Sequence, residues 1–103
     1  MATVIDITGK IKNEEKFIVY NGKSYKVDDR KNTVIEVYSL FDKYENGNMQ
    51  MIDEVMQRLL GKAAVKDFDG LSYEDYLVPF FAALACVKGK TYEEIEASFR
   101  KTV

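Results

Sequence analysis

Residues 72–87, SYEDYLVPFFAALACV, constrain the fold of this chain more than any other stretch. No charge interrupts the run between Asp75 and Lys88, and residues 76–87 are apolar on every side of a helix. A helix wet along one face alternates polar and apolar stripes, whereas one apolar all round has to be covered all round. Ser72 with Asp75 three residues on reads as a capping box, with Asp in the place usually taken by Glu or Gln. Tyr73, Tyr76, Leu77, Phe80, Leu84 and Val87 then line one face, and Val78, Phe81, Ala82, Ala85 and Cys86 fill the other. The expectation is a central helix wrapped by the rest of the chain. Pro79 lies inside it, deletes one backbone hydrogen bond and crowds the carbonyl of Asp75, so a bend near Asp75 and Tyr76 is expected in place of a stop.

Everything else is amphipathic. Residues 3–8, TVIDIT, read as a first strand closed by Gly9. The clearest local signal is Asn21-Gly22 between two β-rich runs, a pair that tolerates the positive φ angles of a type I′ turn. With a two-residue loop, Tyr20 faces Lys23, Ile18 faces Tyr25 and Lys16 faces Val27. Ile18, Tyr20, Tyr25 and Val27 then share the inner face, and Phe17 and Val19 lie with Ser24 and Lys26 on the outer one. Two apolar residues on an outer face need a cover, supplied by the first strand or by a partner.

After a charged connector at residues 28–32, Thr33 and Glu36 read as a capping box for a helix running to about Glu45. Its expected buried stripe is Val34, Val37, Tyr38, Phe41 and Tyr44, and Asn46-Gly47 ends it. Asn48 caps the next helix, in which Ile52, Val55, Met56, Leu59 and Leu60 repeat at helical spacing. Gly61 breaks that helix, residues 62–68 add one or two turns, and Asp69-Gly70 turns into the central helix. Lys88-Gly89-Lys90 ends the central helix with positive charge at its negative pole. Thr91 and Glu94 form a further capping box, ahead of a last helix with Tyr92, Ile95 and Phe99 on one face and Glu96 and Arg100 as an exposed pair. The expected architecture is α+β and a single domain over residues 1–103. A β-hairpin or small antiparallel sheet in residues 1–29 precedes a bundle of four to five helices in residues 33–101, packed around the central apolar one.

Composition excludes several function classes. A net charge of −2 and a pI near 5.2 argue against a nucleic-acid surface, and the nearest basic cluster, Lys23, Lys26, Arg30 and Lys31, is interrupted by Asp28 and Asp29. The chain has no His, which removes the commonest metal ligand and the commonest general base together. Its one cysteine, Cys86, cannot form an internal disulfide, fits a reducing compartment, and lies where a thiol packs as a small hydrophobe. The opening residues do not read as a secretory leader, because Ile5, Ile7 and Ile11 are separated by polar and charged residues. The apolar run of the central helix is also shorter than the ~20 residues of a membrane span.

Asp67, Asp69 and Ser72 begin like a calcium loop, but Ser72 holds the position that wants Gly and Val78 the one that wants Glu. Glu93, Glu94 and Glu96 are ordinary company for a helix N-terminus. No catalytic, cofactor-binding or metal-ligating residue is therefore expected, and a protein-binding role outranks an enzymatic one. Met49, Met51 and Met56 place three of the four methionines in one helix, and flexible thioethers suit surfaces that accept varied apolar partners. Met49 and Met51 cannot both point inward as squarely as Ile52 and Val55. The candidate partner-binding residues are Phe17, Val19, Met49 and Met51.

Residues 51–100, about half the chain, include LLGKAAVKDFDGLSYEDYLVPFFAALACVKGKTYEEIEASFR. This segment resembles the small tail assembly chaperones encoded in the tail gene clusters of long-tailed phages and prophages of Gram-positive bacteria. LLGKAA ending one helix, LSYEDY opening an apolar helix and GKTYEEIEASF as a closing helix carry the likeness, and NGKSYKVDD resembles the hairpin that often opens such proteins. Pro79 and Cys86 depart from the pattern. The resemblance implies a non-enzymatic role in the cytoplasm of a bacterial host, binding the tape-measure protein and recruiting tail-tube subunits, with no catalytic residues to carry over. A small cytoplasmic regulatory or adaptor module, pairing through its hairpin edge or a helical face, is the alternative. Self-association is compatible with either.

Overall fold

Asn21 and Gly22 take φ angles of 51° and 77°, and the positive sign at both is what joins two twisted strands without splaying them. The strands are β1 (Lys16–Tyr20) and β2 (Lys23–Val27), antiparallel, with Lys16 opposite Val27, Ile18 opposite Tyr25 and Tyr20 opposite Lys23. This is the register expected from the turn. The computed structural model describes residues 2–45 and 47–102. Within them the hairpin is followed by five helices: α1 (Lys31–Lys43), α2 (Met49–Leu60), α3 (Lys62–Phe68), α4 (Tyr73–Lys88) and α5 (Tyr92–Thr102). The chain is α+β, as expected, and among the described residues the sheet is the two-stranded hairpin.

The expected first strand does not form. Residues 3–7 take no regular structure and lead into a 3-10 turn at Thr8–Lys10, with Val4, Ile5 and Ile7 exposed. The Asp6 carboxylate accepts the Thr8 backbone N–H at 3.0 Å, a local bond that competes with extended pairing. No neighbouring strand lies alongside to offset it.

The opening of α1 also departs from expectation. The helix starts at Lys31, and Thr33 is not its cap; the Thr33 hydroxyl donates to the Asp28 carboxylate at 2.9 Å. Glu36 pairs with Arg58 of α2 at 3.1 Å instead of closing a capping box. With Thr33 turned inward, the buried stripe becomes Thr33, Val37 and Leu40, spaced four and three apart. Val34, Phe41 and Tyr44 are half-buried at its margin, while Tyr38 is exposed and lends its ring to the Lys88 ammonium, 5.8 Å away. The expected stop at Asn46-Gly47 falls partly on Asn46, outside the described residues.

The other helix boundaries follow local chemistry. Asn48 accepts the Met51 N–H at 3.1 Å to cap α2, and Gly61, at φ 88°, separates α2 from α3. Ser72 accepts the Asp75 N–H at 3.2 Å, and α4 then runs unbroken through Pro79 to a left-handed Gly89. Thr91 and Glu94 exchange both bonds of a capping box, at 3.0 and 3.1 Å.

One hydrophobic core runs through all of these elements. In α2, Met51, Ile52, Val55, Met56 and Leu59 are fully buried. In α4, Tyr76, Leu77, Phe80, Phe81, Ala83 and Leu84 are buried, and α5 contributes Ile95 and Phe99. Phe81 stands edge-on to Phe99 at 5.2 Å and to Tyr92 at 5.9 Å. The central helix is not wrapped on every side, however. It packs on α2, α5 and the hairpin, which leaves Asp75 and Val78 exposed and Ala82 half-buried; Val78 is 48% exposed.

Asp28 joins three elements at the end of β2. Its N–H donates to the carbonyl of Leu59 at 2.8 Å, tying the hairpin to the end of α2. Its carboxylate accepts from the Arg30 guanidinium, the Arg30 N–H and the Thr33 hydroxyl at the start of α1. The Arg30 guanidinium holds the Asp28 carboxyl well below the usual carboxylate range, against partial burial, and the Arg30 N–H and Thr33 hydroxyl add to the lowering. A lowered native pKa means the stabilisation is complete above the unfolded value of about 4 and drains away as pH falls toward the native one. Asp28→Asn is therefore expected to cost about 1–2 kcal/mol at pH 7. In urea unfolding, its gap from the unaltered protein should narrow steadily below about pH 4.

Candidate partner-binding surface

A two-stranded hairpin is marginal alone, so what fixes this one is its inner face. Tyr25 and Val27 are buried, and the rings of Tyr20 and Tyr25 lie 5.4 and 5.2 Å from Phe68 of α3. The Tyr25 hydroxyl donates to the Asp67 carboxylate at 2.7 Å, and the Lys23 ammonium donates to the same oxygen at 2.9 Å. These two donors hold the exposed Asp67 carboxyl below its ordinary range, Lys23 contributing the most. At the other end, Lys16 donates to the Cys86 carbonyl at 2.9 Å and pairs with Asp29 at 3.0 Å, clamping β1 to α4.

An inner face held this firmly presents the outer face as a fixed shape. Phe17 and Val19 project from it, 48% and 69% exposed, beside Ser24 and Lys26. Among the described residues no element covers them. Met49, in the first turn of α2, is 39% exposed. Met51 is not part of this surface: it is fully buried, because the Asn48 cap sets the phase of α2 so that Met51 and Ile52 both enter the core. Of the four expected contact residues, Phe17 and Val19 share one face, Met49 is exposed on a separate element, and Met51 is a core residue.

Sequence reasoning missed the apolar arm ahead of the hairpin. Val4, Ile5, Ile7 and Ile11 are 86%, 73%, 54% and 65% exposed; assigning residues 3–8 to a strand concealed the first three. Ile35 on α1 is exposed as well, one residue outside the expected stripe.

Elsewhere several polar groups are committed to one another, although the buried Oε2 of Glu54 has no hydrogen-bond partner among the described residues. A groove of about 650 Å³ between the start of α1 and the end of α2 contains Arg30 and Arg58, paired with Asp28 and Glu36 respectively. Burial pushes the Cys86 thiol up, which keeps it protonated at neutral pH. Burial also raises the Tyr76 hydroxyl, which donates to Asp53 at 2.8 Å. Burial draws the Lys88 ammonium down where it lies over Tyr38 and Phe41. Among the described residues, no three His, Cys, Asp or Glu side chains gather as a metal site, and no helix is long and apolar enough to cross a membrane.

Comparison of the chain with protein-family models, with curated proteins and with solved structures found no match.

Surface and core roles separate cleanly in denaturation. Phe17→Ser and Val19→Ser are expected to leave unfolding free energy within about 0.5 kcal/mol of the unaltered protein. Met51→Ala is expected to cost about 2–5 kcal/mol, since it opens a cavity beside Ile52 and Val55. Urea titration followed by circular dichroism at 222 nm distinguishes the two classes.

Proposed function

We propose that this chain is a non-enzymatic binding protein that shields apolar segments of a client chain in the cytoplasm of a bacterial host. The client class is that suggested by the resemblance of residues 51–100 to phage tail assembly chaperones: a tape-measure protein, to which tail-tube subunits are then recruited. The observation that carries the reading is the outer face of β1, where Phe17 and Val19 stay exposed on a strand whose opposite face is locked into the core. Exposed apolar side chains on a rigid support are contact sites whose ordering cost has already been met in folding. Met49 extends the apolar surface with a flexible thioether suited to varied partners. The acidic balance, −2 overall, keeps such a surface from attracting nucleic acid.

A second reading rests on a different observation. Among the described residues β1 has a strand neighbour along one edge alone, so its backbone can accept an extended peptide, as a small adaptor would use it.

Co-expression with the tape-measure gene of the same tail cluster separates the two. The chaperone reading expects the tape-measure protein to move from the pellet to the soluble fraction when this chain is present. Replacing Phe17 and Val19 together with Asp should return it to the pellet without changing the helical circular dichroism of this chain. Tape-measure solubility indifferent to the chain would sink the chaperone reading, and regulator genes on both sides in place of tail genes would favour the adaptor.

A further inference from the structure

The arm ahead of the hairpin is alternating and strand-like in sequence, yet it has no strand beside it. Among the described residues β1 has no strand neighbour on the side away from β2. We propose that these two belong together between molecules: residues 2–6 of one copy add as an antiparallel strand to the β1 edge of a second copy.

Charge selects the register. With Asp6 set opposite Lys16, Ile5 falls beside Phe17, Val4 beside Ile18, and Thr3 beside Val19. Asp6 and Val4 then extend the inner face of the hairpin, and Ile5 and Thr3 the outer one. Lys16 has three N–H donors, of which Asp29 and the Cys86 carbonyl engage two, so one remains for the incoming carboxylate. A slip of one residue would turn the Asp6 carboxylate onto the Phe17 ring, and a slip of two would set it opposite Ile18. In the matched register Ile5, 73% exposed, and Phe17, 48% exposed, cover each other.

The connection between arm and hairpin favours a second copy over the chain's own edge. Residues 13–15 line a groove with residues 26–30 and 58–61, and the Glu15 carboxylate is held by Lys26 of β2 at 3.3 Å. The residues joining the arm to β1 thus lie against the end of β2 and the end of α2, and the arm is not paired with the edge of its own β1. The apolar side chains of the arm are exposed, and the molecule, 61 × 32 × 24 Å with a radius of gyration of 15.8 Å, is less compact than a globular chain of this length at ~13 Å. Freed from its bond to Thr8, Asp6 exchanges a local contact for an intermolecular one. Reciprocal exchange closes a two-fold dimer, and one-way exchange builds an open row; both use the same edge. The pairing does not depend on the client proposed above, and its test needs none.

Sedimentation velocity of the full chain across a concentration series reads the assembly directly. A mass of two chains or more is expected, and Ile5→Asp should raise the apparent dissociation constant at least tenfold while leaving the helical circular dichroism unchanged. Oxidative cross-linking then locates the contact. On a Cys86→Ser background, copies carrying Thr3→Cys mixed with copies carrying Val19→Cys should yield a disulfide joining the two kinds of chain, identified by peptide mass, because directly opposed residues lie within disulfide reach. A single-chain mass at every concentration would overturn the proposal. So would an assembly that Ile5→Asp leaves intact, or an oxidised double variant, Thr3→Cys with Val19→Cys, linked within one chain.

Discussion

The packing of α2 against α4 is the contact on which the remaining structure depends. Met51, Ile52, Val55, Met56 and Leu59 line the buried side of α2, and Leu77, Phe80, Phe81 and Leu84 do the same for α4. A chain of 103 residues buries a smaller share of its surface than a large domain and has little stability to spare, so one continuous core has to serve every element. The other parts attach to this pair in different ways. α5 adds Ile95 and Phe99 to the aromatic side, α3 places Phe68 under the hairpin, and α1 closes the remaining side with Val37 and Leu40.

Polar contacts fix how these parts join without supplying the driving force. Asp28 is the clearest case, since its backbone and carboxylate together reach the end of α2 and the start of α1. Asp67 does the same for the hairpin and α3 through Lys23 and Tyr25. Both carboxylates are worth more as geometry than as energy, because exposed ion pairs contribute little while a fixed donor set excludes other arrangements. The hairpin is held through its inner face and through Lys16. Phe17 and Val19 on the outer face of β1 stay exposed, and among the described residues β2 is its one strand neighbour.

Short-range signals were the legible part of the fold. Asn21-Gly22, Asn48, Gly61, Gly89 and the pair Thr91 and Glu94 each act through bonds or dihedral angles within a few residues, so each could be read without knowing the neighbours. Thr33 and Glu36 have the same spacing as Thr91 and Glu94, but Asp28 and Arg58 compete for their side chains and win. That competition is invisible to a local pattern. The candidate surface was half legible for the same reason. Alternation about the turn placed Phe17 and Val19 outward, whereas the inward turn of Met51 depended on how the start of α2 meets the core.

By itself, the sequence determined the hairpin register, most helix ends, and the need for an uncharged helix at the centre, because turn chemistry and apolar periodicity are properties of consecutive residues. Tertiary structure alone decided that residues 3–7 form no strand, that α2 shares the centre with α4, and that Val78 is left uncovered. Those outcomes depend on which surfaces are available to meet, and a helix with neighbours on three sides keeps a fourth whatever its composition.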